Sequence, residues 1–295
     1  MALDITPSDI TLKSGNAISL NIEMPSKKAL FIEMRFGGIV LSSGTAFLVA
    51  NDSESHCALI TNRHNVTGRH QETGEPISKT CGIPDTIVIY FHKNPIELGE
   101  WKPVVLPLQR EDGTSYWIEH PRLGAKADLV ALNLTWGDDV YKLPYYLEGS
   151  RDRLGLLISP AEPVSVIGYP FGLSSAGKFP IWATGFLAQE LSLINADNPT
   201  FLIDCRTRQG QSGSAVIAYR PFGHRKMING VPAMISGGAP VWEFLGIYSG
   251  RVNPDSDLGK VWHVSIIAEL LSAAAADMAM RLERAASAPS SDEQS

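Results

Sequence analysis

The sequence contains little cysteine, no long hydrophobic run and no excess of basic residues. Its three cysteines, Cys57, Cys81 and Cys205, lie far apart and form no CxxC motif. This spacing disfavours a disulfide framework or a zinc site, and predicts free, buried thiols in a reducing cytoplasmic compartment. No apolar run approaches the roughly 18 residues of a membrane span, and no signal peptide is visible. The net charge of −6 argues against a nucleic-acid partner, because such proteins carry a basic face.

Glycine and proline are frequent, at 26 and 19 of the 295 residues, and they separate many short runs of β-branched and aromatic residues. Such runs without intervening helices are typical of barrels or sandwiches rather than of a parallel sheet. About six runs lie on each side of a break near residues 137–160, so we predict an all-β protein with two six-stranded antiparallel β-barrels. The predicted strands are Leu30–Leu41 (interrupted by Gly37 and Gly38), Thr45–Ala50, Cys57–Asn62, Thr86–His92, Trp101–Pro107, Leu129–Leu134, Pro163–Gly168, Ile181–Leu187, Thr200–Asp204, Ser214–Tyr219, Trp242–Tyr248 and Lys260–Val264.

One helical stripe near the end completes the predicted domain organisation. Apolar residues between Ile266 and Leu282 recur at spacings of one, three and four, which predicts an amphipathic helix packed on a barrel. The polar residues after it predict a disordered tail. The predicted units are an N-terminal extension 1–29, a first barrel 30–140, a linker 141–160, a second barrel 161–265, a C-terminal helix 266–286 and the tail 287–295.

Three short segments carry candidate chemistry. In the first, Gly210 and Gly213 flank Ser212; this pattern exposes a nucleophilic hydroxyl on a tight turn, although such turns are also common without a chemical role. In the second, an apolar strand leads into a polar turn with His64, the residue type used most often as a general base near pH 7. In the third, Asp128 precedes an apolar strand, where a carboxylate needs a partner to compensate for its burial.

These residues occur in the order His64, Asp128, Ser212. That order distinguishes chymotrypsin-type serine proteases from subtilisin-like enzymes and α/β-hydrolases. It also assigns the histidine and the aspartate to one strand-rich half of the chain and the serine to the other. A site at the junction of the two predicted barrels follows from this division.

Six segments in the same order resemble trypsin-like serine proteases, and especially the high-temperature-requirement branch of that family. The resemblance covers about residues 31–271 and implies a chymotrypsin-like fold. It also implies a serine endopeptidase that acts on a protein or peptide substrate and needs no metal or other cofactor. The matching segments are Gly44–Val49, Leu59–Val66, Val166–Leu173, Thr184–Leu187, the nucleophile turn Gly210–Ser214 and the strand Gly246–Gly250.

The resemblance also implies the role of each candidate residue. Ser212 would attack the peptide carbonyl, His64 would take and return the proton, and Asp128 would orient His64. The backbone N–H groups of Gly210 and Ser212 would form the oxyanion hole. Two other functions stay open at this point: a non-catalytic, protease-like module that binds proteins, and an esterase with the same triad. The sequence identifies no regulatory protein partner.

The sequence departs from the family at the nucleophile turn and after the last strand. Gln211 stands where zymogen-type relatives have the Asp that pairs with a newly cut N-terminus, so we expect no activation by N-terminal cleavage. Ser214 replaces a second glycine, a change compatible with activity. Only 45 residues follow Gly250, so we expect no peptide-binding PDZ module after the protease, since a separate domain needs about 50 residues or more.

A specificity pocket is also implied by the resemblance, and its residues are Arg206, Thr207, Tyr248, Ser249, Gly250 and Arg251. In trypsin relatives an Asp at the position of Arg206 selects Lys or Arg, so a positive charge here disfavours basic substrates. Thr207 matches a threonine that helps to bind the substrate carboxylate in glutamyl endopeptidases, whereas Tyr248 replaces the histidine of those enzymes. Arg251 replaces a glycine and would narrow the pocket mouth. We therefore expect a small or acidic residue before the scissile bond, attracted by arginine–carboxylate pairing.

Overall fold

The computed structural model describes residues 22–93, 99–149, 152–253 and 255–287. Strand pairing divides these residues into a first half, up to residue 146, and a second half, from residue 163 onward. The elements of the first half are α1 (Met24–Lys28), β1 (Ala29–Phe36), β2 (Ile39–Ala50), β3 (Ala58–Thr61), α2 (Arg63–Thr67), β4 (Thr86–His92), β5 (Trp101–Pro107), β6 (Trp117–Glu119), β7 (Val130–Asn133) and β8 (Tyr145–Tyr146). The elements of the second half are β9 (Pro163–Gly168), β10 (Ile181–Leu187), β11 (Thr200–Asp204), β12 (Ala215–Arg220), β13 (His224–Ile228), β14 (Val231–Ile235), β15 (Val241–Arg251), β16 (Leu258–His263) and α3 (Val264–Ser287).

The strands of the first half form one eight-stranded sheet. Its continuous path runs β5–β4–β1–β2–β3–β7–β6, and β8 pairs in parallel with the end of β2. No ladder joins β5 to β6 in this path; a turn bridges them, in which the Tyr116 N–H donates to the Leu108 carbonyl at 3.0 Å. Pro103 and Pro107 on β5 lack an N–H group, which is tolerated at a sheet edge. The expected first six-stranded barrel is therefore an eight-stranded half-barrel.

The second half contains the expected closed barrel. Six strands follow one another in the order β10–β11–β16–β15–β12–β9 and close on themselves. Residues alternate between the interior and the outer face, as the two-residue period of a strand requires. On β11, for example, Phe201 and Ile203 are buried in the barrel core, whereas Leu202 between them is only half-buried. The all-β class and the second barrel are thus confirmed.

Three pieces of strand structure are absent from the sequence prediction. The short strands β6 and β8 are two of them, and the third is a separate hairpin of β13 and β14. The hairpin turn consists of Asn229 and Gly230, both with positive φ, at 51° and 78°. Asn-Gly between apolar runs is the strongest short-range hairpin signal. That signal is present in the sequence, and the prediction overlooked it.

The helix α3 packs against both halves, in contact with β6, β7, β15 and β16. Its buried stripe consists of Ile266, Ile267, Leu270, Leu271 and Ala274, which confirms the first part of the predicted stripe, whereas Leu282 at its predicted end is exposed. On the polar side, the Arg122 guanidinium donates to both carboxylate oxygens of Glu269, at 3.2 and 3.1 Å. The helix begins two residues before its predicted start, and the predicted tail lies almost wholly outside the described residues.

Cys57 is half-buried, Cys205 is buried and Cys81 is exposed, and all three are free. The expected burial is therefore wrong for Cys81. Desolvation raises the pKa of Cys57 to about 12 and that of Cys205 to about 11. Among the described helices, none combines the length and the hydropathy needed to cross a bilayer. The first 21 residues of the predicted N-terminal extension lie outside the described part of the chain.

Candidate active site

Two neighbouring strands bring His64 and Asp128 together. β3 and β7 are antiparallel, with Thr61 opposite Val130, so the residues that follow β3 lie beside those that precede β7. The short helix α2 starts directly after β3 and carries His64. The Nδ1 atom of His64 lies 2.7 Å from Oδ2 of Asp128. Since a carboxylate can only accept, the neutral ring carries its proton on Nδ1 and leaves Nε2 as the acceptor.

Asp128 is only 1% exposed, and its carboxylate accepts three hydrogen bonds. The backbone N–H of His64 donates to Oδ1 at 3.0 Å, and the ring nitrogen of the same residue donates to Oδ2. The third donor is the hydroxyl of Ser249, 2.6 Å from Oδ2. These donors compensate for the cost of burying a carboxylate and fix the plane in which His64 is held.

Ser212 lies on a turn whose backbone requires glycine at two positions. Gly210 and Gly213 have φ of 94° and 87°, a region that favours glycine. A Cβ on Gly210 would lie 2.3 Å from the carbonyl oxygen of Tyr169, and one on Gly213 would lie 2.0 Å from that of Thr45. Any larger residue at either position would therefore displace the turn.

The first half holds this turn through polar groups of β2 and α2. The Thr45 N–H donates to the Ser212 carbonyl at 3.0 Å, and the Asn65 side-chain amide donates to the same oxygen at 3.3 Å. The Thr45 hydroxyl donates to the Gly210 carbonyl at 2.9 Å and accepts the Tyr169 N–H at 3.3 Å. Ser212 is thus positioned by both halves of the molecule.

His64, Asp128 and Ser212 all line one cleft of about 580 Å³ between the halves. The N–H groups of Gly210 and Ser212 donate to no acceptor within the described ranges. The carbonyl of Gln209 accepts the Phe171 N–H at 2.6 Å. Because the peptide unit between Gln209 and Gly210 is planar and trans, its N–H points away from the carbonyl oxygen, and therefore away from Phe171. Two backbone donors beside a serine hydroxyl are the arrangement that can stabilise an oxyanion.

The residues of the predicted specificity pocket occupy different places. Thr207 and Tyr248 are buried in the cleft wall and their hydroxyls are hydrogen-bonded to each other. Ser249, Gly250 and Arg251 line the same cleft. The Arg206 side chain is 82% exposed, lies 3.4 Å from Asp257 and is not among the residues that line it.

Sequence reasoning missed several contributors to this site. It assigned Ser249 to the pocket alone and did not anticipate its bond to Asp128. It missed Thr45, although a threonine in a buried apolar strand is a signal that a hydroxyl has a specific partner. It also missed Arg208 and Lys260, which line the cleft. No group of three or more His, Cys, Asp or Glu residues among those described is arranged to hold a metal ion.

No family model and no curated protein matches the sequence, but solved structures do. The serine endoprotease from Yersinia pestis has a TM-score of 0.46 and 13% identity, over 85% of this chain and 64% of that one. This chain therefore spans less than two thirds of that protein's length. The active form of the Rv3671c protease from M. tuberculosis has a TM-score of 0.46 and 17% identity, over 84% of this chain and 81% of that one. Its inactive form has a TM-score of 0.44 and 16% identity, over 84% and 89%.

Proposed function

We propose that this protein is a serine endopeptidase that hydrolyses peptide bonds in protein or peptide substrates. One observation carries the proposal. Ser212, on a glycine-flanked turn, lines the same cleft as His64, whose Nδ1 is bound by the buried carboxylate of Asp128 at 2.7 Å. A serine, a histidine and an oriented carboxylate are the groups that acyl transfer requires. The resemblance of the segments around these residues supports the trypsin-like family and its high-temperature-requirement branch.

The proposed reaction has two stages. Ser212 Oγ attacks the carbonyl carbon of the scissile peptide while His64 Nε2 takes the hydroxyl proton. The N–H groups of Gly210 and Ser212 stabilise the oxyanion that forms, and Asp128 stabilises the imidazolium. His64 then gives the proton to the leaving amine, and an acyl-enzyme remains. In the second stage water attacks this ester with the same assistance, which releases the acid and restores Ser212.

The first test is labelling of the purified protein with a fluorophosphonate, followed by mass mapping of the modified residue. We expect the label on Ser212, with no label on the Ser212→Ala variant. Ser214→Ala is the matched control, because Ser214 lies two residues away, is buried and has no partner for its hydroxyl among the described residues; this variant should still be labelled. A label on another residue, or peptide cleavage by Ser212→Ala at the wild-type rate, would contradict the assignment. Comparison of peptide with ester turnover then separates an endopeptidase from an esterase.

A further inference from the structure

The wall of the cleft contributed by the second half carries positive charge, although the protein as a whole has a net charge of −6. Arg208, Arg251 and Lys260 line this wall. The acidic residues that line the cleft are Glu72 and Asp128, and both belong to the first half. The wall on this side of Ser212 is thus positive, whereas the protein as a whole is negative.

Lys260 reaches the cleft because its neighbour has no side chain. On the β15–β16 pair, Lys260 lies opposite Gly250, and cross-strand partners share one face of a sheet. A Cβ on Gly250 would meet no atom of the described residues within 4 Å, so these residues leave the space above this face open. The Lys260 ammonium lies 5.3 Å from the centre of the Trp262 ring. No carboxylate in the described part of the chain forms an ion pair with Lys260 or Arg208.

Two buried hydroxyls lie below these cations. Thr207 and Tyr248 bond to each other, so one of their two hydroxyl protons stays available to a ligand. Burial raises the pKa of Tyr248 to about 12, and the Thr207 hydrogen bond and the nearby charges of Arg251 and Arg208 oppose this rise. Tyr248 is therefore a neutral donor at physiological pH. Gly259 leaves room for its ring, since a Cβ there would lie 2.7 Å from the ring edge.

The cleft also offers an edge for an extended peptide. β12 pairs with β15 only as far as Ile247, whereas β16 pairs with β15 up to Arg251. The segment Ser249–Arg251 therefore has a strand on one side and the cleft on the other. A substrate that adds to this edge passes both Ser212 and the cationic wall, and its alternate side chains point toward the wall.

We propose that this wall selects substrates with a glutamate or aspartate side chain within two residues of the scissile bond, with Lys260 as a specificity-determining residue. This inference rests on the proposed peptidase function and names the substrate class of the same site. Ammonium and guanidinium groups form charge-assisted hydrogen bonds with carboxylates, and such bonds are roughly twice as strong as neutral ones. A peptide with glutamine in place of glutamate keeps nearly the same shape but cannot form these charge-assisted hydrogen bonds.

The kinetic test uses fluorogenic peptides that are identical except for one Glu or Gln, placed in turn at each of the four positions around the scissile bond. At one position or more we expect kcat/KM to be at least about tenfold higher with Glu, and we expect this ratio to fall with added salt. Lys260→Gln should lower the ratio, and Lys260→Arg should retain most of it. Lys93→Gln is the matched control, because Lys93 is exposed, pairs with Glu100 and does not line the cleft. Equal rates for Glu and Gln peptides at all four positions would overturn the proposal.

A binding measurement separates this inference from the proposed function. The same peptides, with a fluorescent label, are titrated with the Ser212→Ala variant and followed by polarisation. We expect about tenfold tighter binding of a Glu peptide than of its Gln partner, and loss of this difference in Ser212→Ala combined with Lys260→Gln. Absence of cleavage by the wild-type protein refutes the peptidase, whereas equal binding of Glu and Gln peptides refutes acidic selection.

Discussion

His92 is a buried histidine that the proposed chemistry does not use. Its ring packs against those of Trp101 and Phe179, which also contact each other, and its Nε2 donates to the Lys27 carbonyl at 3.0 Å. The Nδ1 atom is buried and has no hydrogen-bond partner among the described residues, so protonation would place an N–H there that none of these residues accepts. Burial accordingly lowers the pKa of His92 to about 4.

This lowered pKa makes the stability of the fold depend on pH. Between about pH 6.5, near the value for an unfolded histidine, and pH 4, the unfolded chain binds a proton at His92 that the folded chain does not. Stability is therefore lost as the pH falls through this window, by up to about 3 kcal/mol from this residue. In thermal melts between pH 7 and pH 4, we expect His92→Gln, which keeps a donor, to lose less stability than the wild type. The exposed His70, changed to Gln, serves as the control and should follow the wild-type curve. A wild-type curve identical in slope to that of His92→Gln would contradict this account.

At the residue scale, the sequence identified the candidate reactive residues but not the residues that hold them in place. Ser212, His64 and Asp128 could be chosen as candidates because residue type, the local glycine pattern and chain order all restrict the choice of a nucleophile, a base and its carboxylate. Thr45 and Ser249 act on groups far away in the chain, on Gly210 and Asp128 respectively. No local pattern encodes such a pairing, since it depends on how the two halves meet.

Among the elements, the turn from Arg208 to Ser214 is held by hydrogen bonds of Gln211 to both of its ends. Gln211 is fully buried, and its Oε1 accepts the Arg208 N–H at 2.8 Å. Its backbone N–H donates to the Arg208 carbonyl at 3.2 Å, and its own carbonyl accepts the Ser214 N–H at 3.0 Å. A neutral amide therefore holds the turn that carries Ser212.

Loss of the Gln211 side-chain hydrogen bond should make the turn less rigid while Ser212 is retained. We expect Gln211→Ala to lower the free energy of unfolding by about 1–2 kcal/mol, because the Arg208 N–H loses its acceptor, and to slow fluorophosphonate labelling of Ser212. Gln209→Ala is the matched control, since Gln209 lies on the same turn with an exposed side chain; its effect on stability should stay within about 0.5 kcal/mol. Equal losses in the two variants, measured by urea denaturation, would mean that the buried amide has no special role.

The elements themselves were predicted to different degrees. The barrel strands of the second half and the helix α3 follow from apolar periodicity, which depends only on nearby residues. Whether the sheet of the first half closes into a barrel does not follow from periodicity, because closure depends on whether β5 and β6 are joined by a ladder or by a turn. The hairpin at Asn229 and Gly230 carried a sufficient signal, and β8 did not, since two residues show no periodicity.

For the molecule as a whole, one buried ion pair joins α1 to the segment between the two halves, and that segment is bonded in turn to β15 of the second half. The Lys28 ammonium lies 2.6 Å from Oδ2 of Asp152, and both side chains are at least nine-tenths buried. Lys28 also donates to the Pro144 carbonyl at 2.7 Å. The indole N–H of Trp242, on β15, donates to Oδ1 of Asp152 at 2.7 Å. Desolvation lowers the pKa of Lys28, and Asp152 opposes this shift.

Removal of one partner of this pair should destabilise the whole fold. We expect Lys28→Met to lower the free energy of unfolding by about 3 kcal/mol or more, because the buried carboxylate of Asp152 loses the charge of the Lys28 ammonium. The double variant Lys28→Met with Asp152→Asn should recover part of this loss. Lys93→Met breaks an exposed pair and should cost about 1 kcal/mol or less. Chemical denaturation of the three variants provides the comparison, and a loss for Lys28→Met no larger than that for Lys93→Met would refute the assignment.

The hydroxyl of Thr45 touches both the Gly210 carbonyl and the Tyr169 N–H across the boundary between the halves. N–H···O hydrogen bonds have lengths of about 2.7–3.2 Å and weaken steeply when poorly aligned, and the bond from Tyr169 is already 3.3 Å long. A small sliding of one half over the other therefore disorganises the nucleophile turn while every strand remains intact. On heating, the proposed activity should therefore be lost before the sheets melt, because the boundary between the halves shifts before either half unfolds.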